Sequence, residues 1–126
     1  LDWIINNKKV SQVLAISSGA SNHTYKGWSG YSLSKSALNM MMDSYSKDTE
    51  GVHFISVAPG LVNTSMQDYL CNEVDEKIFP VTKNFIAARK DGSTKTPDHI
   101  AEKFVEMIPQ FQTLENGTFI DLRDIN

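Results

Sequence analysis

The order of patterns along this 126-residue chain predicts an α/β fold, one wing of a doubly wound parallel sheet. Three observations carry that expectation. Residues 10–17 and 52–57 are short segments whose Val and Ile content suits buried strands. Between them, Leu33, Ala37, Leu38, Met41 and Tyr45 recur at helical spacing. The alternation strand, helix, strand, helix, strand needs crossover connections, which make neighbouring strands parallel with right-handed crossovers.

Each element has a local reason. Residues 1–6 read as the tail of a helix already under way. The stretch 18–30 is rich in Ser, Gly, Asn and Thr, hence a loop. The helix that starts at Tyr31 ends near residues 48–51, and Pro59-Gly60 breaks the second strand. Residues 61–95 carry a weaker pattern, in which 66–71 and 75–90 could each hold a helix, and 91–94 mark a turn. Thr96 is a good N-cap with Pro97 at the first helical position; that helix should run through Met107 and stop before Pro109. Asn116-Gly117 precedes a third strand over 118–122. Neither a repeat nor a linker divides the chain, so residues 1–126 read as one domain.

Composition narrows the function. A net charge of −3 without a block of like charges argues against a nucleic-acid partner. The single Cys71 cannot form a disulfide within the chain and fits a reducing compartment. With no apolar stretch of membrane-spanning length and no visible signal peptide, the expected location is cytoplasmic, without a membrane partner. Three Asn-x-Thr/Ser sequons, at Asn22, Asn63 and Asn116, are read as chance matches. His23, His53 and His99 are scattered without ligand spacing, so no metal site is expected. Met40, Met41 and Met42 read as core or dimer contact.

Three residue types point to redox chemistry at a carbonyl. Tyr31 and Lys35 lie one helical turn apart and project from one face. A phenol is a poor acid at neutral pH, with an unperturbed pKa of about 10. A neighbouring ammonium favours its ionised form. Ser18, thirteen residues before the tyrosine, brings a hydroxyl from a loop to hold the substrate oxygen. Ser17 is the adjacent rival for that part.

The surrounding letters carry a resemblance. Ala15-Ile16-Ser17-Ser18-Gly19, then Gly27-Trp28-Ser29-Gly30-Tyr31-Ser32-Leu33-Ser34-Lys35, then Val57-Ala58-Pro59-Gly60-Leu61-Val62-Asn63-Thr64 resemble the C-terminal half of a short-chain dehydrogenase/reductase. Details such as Thr64-Ser65-Met66-Gln67 look most like the sepiapterin reductase and benzil reductase group. The resemblance implies a nicotinamide cofactor, NADP by the subgroup with NAD as the other candidate. It implies Ser18, Tyr31 and Lys35 as catalytic residues. Tyr31, Lys35, Pro59, Gly60, Val62 and Thr64 would bind the cofactor's nicotinamide end. Ser18, Trp28, Tyr31 and Asp121 would bind a small-molecule carbonyl substrate, a pterin side-chain ketone or an aryl diketone. Met66, Gln67, Tyr69 and Leu70 fall where the family carries a substrate lid. A homodimer through the helix 31–47 is implied for the intact parent.

The chain shows no glycine-rich phosphate turn, no Asn-Ala-Gly motif and no catalytic asparagine. The expected architecture is therefore the C-terminal wing of a Rossmann fold with the N-terminal βαβ half absent. A truncated gene product, a proteolytic fragment and half of a longer chain are all compatible with that. The strand at 10–17 would then be an exposed apolar edge. The second functional expectation is a non-catalytic fragment that acts at most as a binding or dimerisation module.

Overall fold

The computed structural model describes residues 1–7 and 9–125. The elements run α1 (Asp2–Asn7), β1 (Gln12–Ile16), a 3-10 turn (Gly19–Ser21), α2 (Ser29–Asp48), β2 (His53–Ala58), α3 (Ser65–Asn72), α4 (Thr82–Lys90), α5 (Pro97–Phe111), β3 (Phe119–Asp121) and a second 3-10 turn (Leu122–Asp124). The three strands pair in the order β1-β2-β3, both pairs parallel, with Val13 beside Phe54 and Val57 beside Ile120.

Side-chain alternation sorts the sheet into two buried faces. Val13, Ala15 and Phe54 pack with Met42 and Tyr45 of α2. Leu14, Ile55 and Val57 pack instead with Phe104, Met107 and Phe111 of α5. Helices thus cover both faces, and Phe54, Ile55, Val57 and Ala58 of the central strand are 0 % exposed. This is the α/β arrangement that the alternating pattern predicts. β1 is an edge of the sheet among the described residues. It is half-buried rather than buried, and its terminal Ile16 is 50 % exposed. The continuous apolar character of 10–17 overstated its burial, because only one neighbouring strand covers it.

Two helix boundaries differ from expectation by more than two residues. The segment 75–90 is helical only over Thr82–Lys90. Asp75 Oδ1 accepts the Lys77 N–H in a local turn, and Pro80 disfavours helical backbone at the residue before it. α5 in turn runs past Pro109 to Phe111. A proline there forfeits one backbone bond. Phe111 is 0 % exposed and meets the Phe104 ring, with centroids 6.2 Å apart, so core packing carries the last turn. The N-terminus of α5 behaves as predicted: Thr96 Oγ1 accepts the His99 N–H and Pro97 opens the helix.

Candidate active site

The carboxyl ends of all three strands open on one side. Ser18 follows β1, Pro59 and Gly60 follow β2, and Arg123 follows β3. Together with α2, α3 and α5 they line a cleft of about 990 Å³. Ser18, Trp28, Tyr31, Lys35, Pro59, Gly60, Val62 and Thr64 all border it. Sequence reasoning therefore brought eight of its nine candidate residues to one cleft. Asp121 is the ninth and lies just behind the wall.

Ser17 and Ser18 separate cleanly. Ser17 is 3 % exposed and its Oγ donates to Asn39 Oδ1 on α2 at 2.6 Å. Asn39 Nδ2 in turn donates to Ser21 Oγ at 2.8 Å. Ser18, at the next position, also borders the cleft, and its hydroxyl is not drawn into the Asn39 contact. Its Oγ accepts the Ala20 N–H at 3.1 Å, which caps the short turn and leaves the hydroxyl proton free to donate. Asn39 thus clamps both ends of the loop that carries Ser18. Sequence reading missed it, since a polar residue inside a helix gives no sign of a partner 18 or 22 positions away.

Tyr31 enters from the first turn of α2 and lies edge-on to Trp28, ring centroids 5.5 Å apart. Trp28 also meets Tyr25 edge-on at 5.7 Å and Phe85 of α4 at 5.5 Å. These aromatics fix the entry of α2 and give the cleft an aromatic wall. Trp28 therefore does both jobs: it packs Tyr31 and faces the cleft. Lys35 places Nζ 5.8 Å from the Tyr31 ring centroid and donates to the Ile16 carbonyl at 2.9 Å. That bond ties the lysine to the end of β1, beside the serine loop.

After β2 the backbone is shaped for close approach. Gly60 has φ +80°, a conformation that side chains rarely adopt, and a Cβ there would sit 3.2 Å from Arg123 Cδ. Val62 forms a parallel bridge with Lys95, made by Lys95 N–H to the Leu61 carbonyl (3.0 Å) and Asn63 N–H to the Lys95 carbonyl (2.8 Å). In this pattern the N–H and C=O of Val62 itself face away from Lys95. Thr64 caps α3 through its backbone only, and its side chain makes no capping bond.

Asp121 ends β3 and is held by Arg123. Its Oδ1 accepts from Arg123 Nε at 2.9 Å and its Oδ2 from Nη2 at 2.6 Å. Those hydrogen bonds, against the opposing effect of burial, keep the Asp121 carboxyl below the usual carboxylate range. The pair raises the Arg123 pKa in return. Arg123, not Asp121, borders the cleft. The sequence offered only the weak sign of an arginine two places after an aspartate.

Met42 is 1 % exposed and belongs to the core, whereas Met40 and Met41 are 65 % and 43 % exposed. Among the described residues no cluster of His, Cys, Asp or Glu could hold a metal ion, and no helix is long and apolar enough to cross a membrane.

Comparison with known proteins agrees with this geometry. The family described as short chain dehydrogenase matches residues 2–75. A benzil reductase ((S)-benzoin forming) of Bacillus subtilis (strain 168) is 32 % identical over 116 residues, 89 % of this chain and 46 % of that protein. A sepiapterin reductase of Xenopus laevis is 26 % identical over 113 residues, 89 % of this chain and 41 % of that protein. The crystal structure of the KRED1-Pglu enzyme superposes with a TM-score of 0.75 at 26 % identity, over 86 % of this chain and 46 % of that one. The chain spans about half the length of the relatives it matches.

Proposed function

Because this chain belongs to the short chain dehydrogenase family, we propose that it is the catalytic wing of an NADP-dependent reductase of small-molecule carbonyls. The single observation that carries this reading is the convergence of Ser18, Tyr31 and Lys35 on one cleft at the carboxyl ends of parallel strands. The family implies a nicotinamide cofactor, and the residues after β2 fit its nicotinamide end. Val62 offers a free N–H and C=O to a carboxamide, Thr64 an uncommitted hydroxyl, and Gly60 a backbone without a side chain.

When bound, the nicotinamide supplies the hydride. Ser18 donates a hydrogen bond from its free hydroxyl to the substrate carbonyl oxygen and orients it, keeping its proton. Tyr31, whose hydroxyl makes no bond to the described residues, gives its proton to that oxygen as charge develops there. Lys35, anchored on the Ile16 carbonyl, holds positive charge beside the phenol and stabilises the phenolate left behind. In alcohol oxidation the same residues act in reverse, with Tyr31 as base.

Of the two substrate classes that the resemblance implies, the site favours an aryl diketone. A pterin would need the Asp121 carboxylate for its donor edge, but that carboxylate is bound by Arg123 and does not border the cleft. The aromatic wall of Tyr25, Trp28 and Phe85 suits an aryl group. The apolar stripe of α2 that faces outward, Leu33 at 70 % and Met40 at 65 % exposure, supports a homodimer through that helix. NADP and a cytoplasmic location complete the reading. The test is NADPH consumption by the full-length protein with benzil and with sepiapterin in parallel. Turnover of benzil is the expected result; consumption with neither, at millimolar NADPH, would remove the reductase reading.

A further inference from the structure

One polar group in the cleft has no part in the chemistry above. Gln67 lies in the first turn of α3, is 6 % exposed, and borders the cleft beside Thr64, Met66 and Leu70. Its Nε2 is buried without a hydrogen-bond partner. An amide donor shut away from water without an acceptor is unfavourable, and native proteins leave few of them. Val81 and Phe85, which also line the cleft, are buried and apolar. Gln12 also carries an orphaned Nε2 at the cleft. It stands at the first residue of β1, whereas the chemistry gathers after the last. Gln67 lies three residues after Thr64, the end of the Pro59–Thr64 segment, and is therefore the orphan placed to meet a ligand.

We propose that Gln67 reads the substrate: its Nε2 donates to a second acceptor oxygen next to the carbonyl held by Ser18 and Tyr31, as in a 1,2-diketone. This role rests on the reading of Ser18 and Tyr31 as the reducing end of the cleft. Nε2 presents no surface to the cleft in the ligand-free fold, so the side-chain amide turns toward the ligand oxygen on binding, which completes its missing bond. In such surroundings that bond is stronger than at a wet surface. A ketone with one oxygen leaves the donor empty, so the residue selects diketones over monoketones. The carboxamide oxygen of the cofactor offers the same chemistry, and the experiment separates the two.

The variant is Gln67→Met in the full-length protein, which keeps the length of the side chain and removes the donor. Binding of benzil and of deoxybenzoin, the same skeleton with one oxygen, is measured by calorimetry, and NADPH binding by fluorescence. The expected result is a loss of roughly ten- to a hundredfold in benzil affinity, with deoxybenzoin and NADPH unchanged. Equal losses for both ketones, or no loss for either, would overturn the proposal. A loss confined to NADPH would assign the donor to the carboxamide and also overturn it. Melting of the ligand-free protein gives an independent check. Removal of an orphaned amide should leave Tm unchanged or raise it by a few degrees. A clear fall would mean that Gln67 is satisfied within the fold, which contradicts the premise. A wild type that binds benzil selectively but does not reduce it would defeat the catalytic reading and leave that of Gln67 standing; one that binds neither ketone would defeat Gln67's role.

Discussion

Replacement of Asn39 by leucine should loosen the loop that presents Ser18. The side chain makes two hydrogen bonds, from Ser17 Oγ at 2.6 Å and to Ser21 Oγ at 2.8 Å. Each contributes about 0.5–1.5 kcal/mol net. Ser17 is 3 % exposed, so its hydroxyl cannot turn to water. An unmade bond there costs about 1–3 kcal/mol. Ser21 is only half-buried and finds solvent more easily. The expected loss for Asn39→Leu is therefore about 2–4 kcal/mol. With a urea slope of about 2 kcal/mol/M, the unfolding midpoint should fall by roughly 1–2 M. Asn39→Asp is the control. Its carboxylate accepts from both serine hydroxyls, so most of the stability should return. Ser18 lies between the two anchored serines, and a loop displaced by an ångström costs up to about a hundredfold in rate. Turnover should accordingly fall in the leucine variant and recover in the aspartate one. An Asn39→Leu midpoint within experimental error of wild type would refute the clamp.

Three further outcomes follow from particular contacts. Gly27 has φ +84° and a Cβ there would run into the Phe79 ring, so Gly27→Ala should cost about 1–3 kcal/mol in urea unfolding and disturb Trp28 and Tyr31 beside it. In Arg123→Met the Asp121 carboxyl should titrate upward, toward or above the ordinary carboxylate range, as followed by NMR of its carboxyl carbon. The sign is that of a depressed acid: in wild type the pair's stabilisation is present above the unfolded pKa of about 4 and is lost as pH falls through the lower folded value. An unmoved titration would mean that Arg123 does not hold the carboxylate in solution. Met40→Lys places a charge on the exposed stripe of α2 and should shift sedimentation of the full-length protein from dimer to monomer; an unchanged assembly would place the interface elsewhere.

Features written in local chemistry were legible in the sequence. Thr96-Pro97 announced the start of α5, and the tyrosine-to-lysine spacing put both side chains on one face of α2. The serine and the Pro-Gly turn fell at strand ends because apolar runs stop there. Features that depend on a partner far along the chain were not legible. Phe111 carries α5 through Pro109 because it is buried in the core, which no local rule reveals. Asn39 and Gln67 are ordinary helix letters until the loop and the cleft wall lie against them. Arg123 claims Asp121 only because the turn after β3 folds back, so an aspartate that resembled a free ligand anchor is already paired.

The claim at the centre is that the Tyr31 phenol delivers a proton to the substrate oxygen. Its most direct test is Tyr31→Phe in the full-length protein, with single-turnover carbonyl reduction and NADPH binding measured on the same sample. Since general acid catalysis contributes roughly 10²–10⁴-fold, reduction should slow by at least a hundredfold while NADPH affinity changes little. Reduction at the wild-type rate would contradict the account.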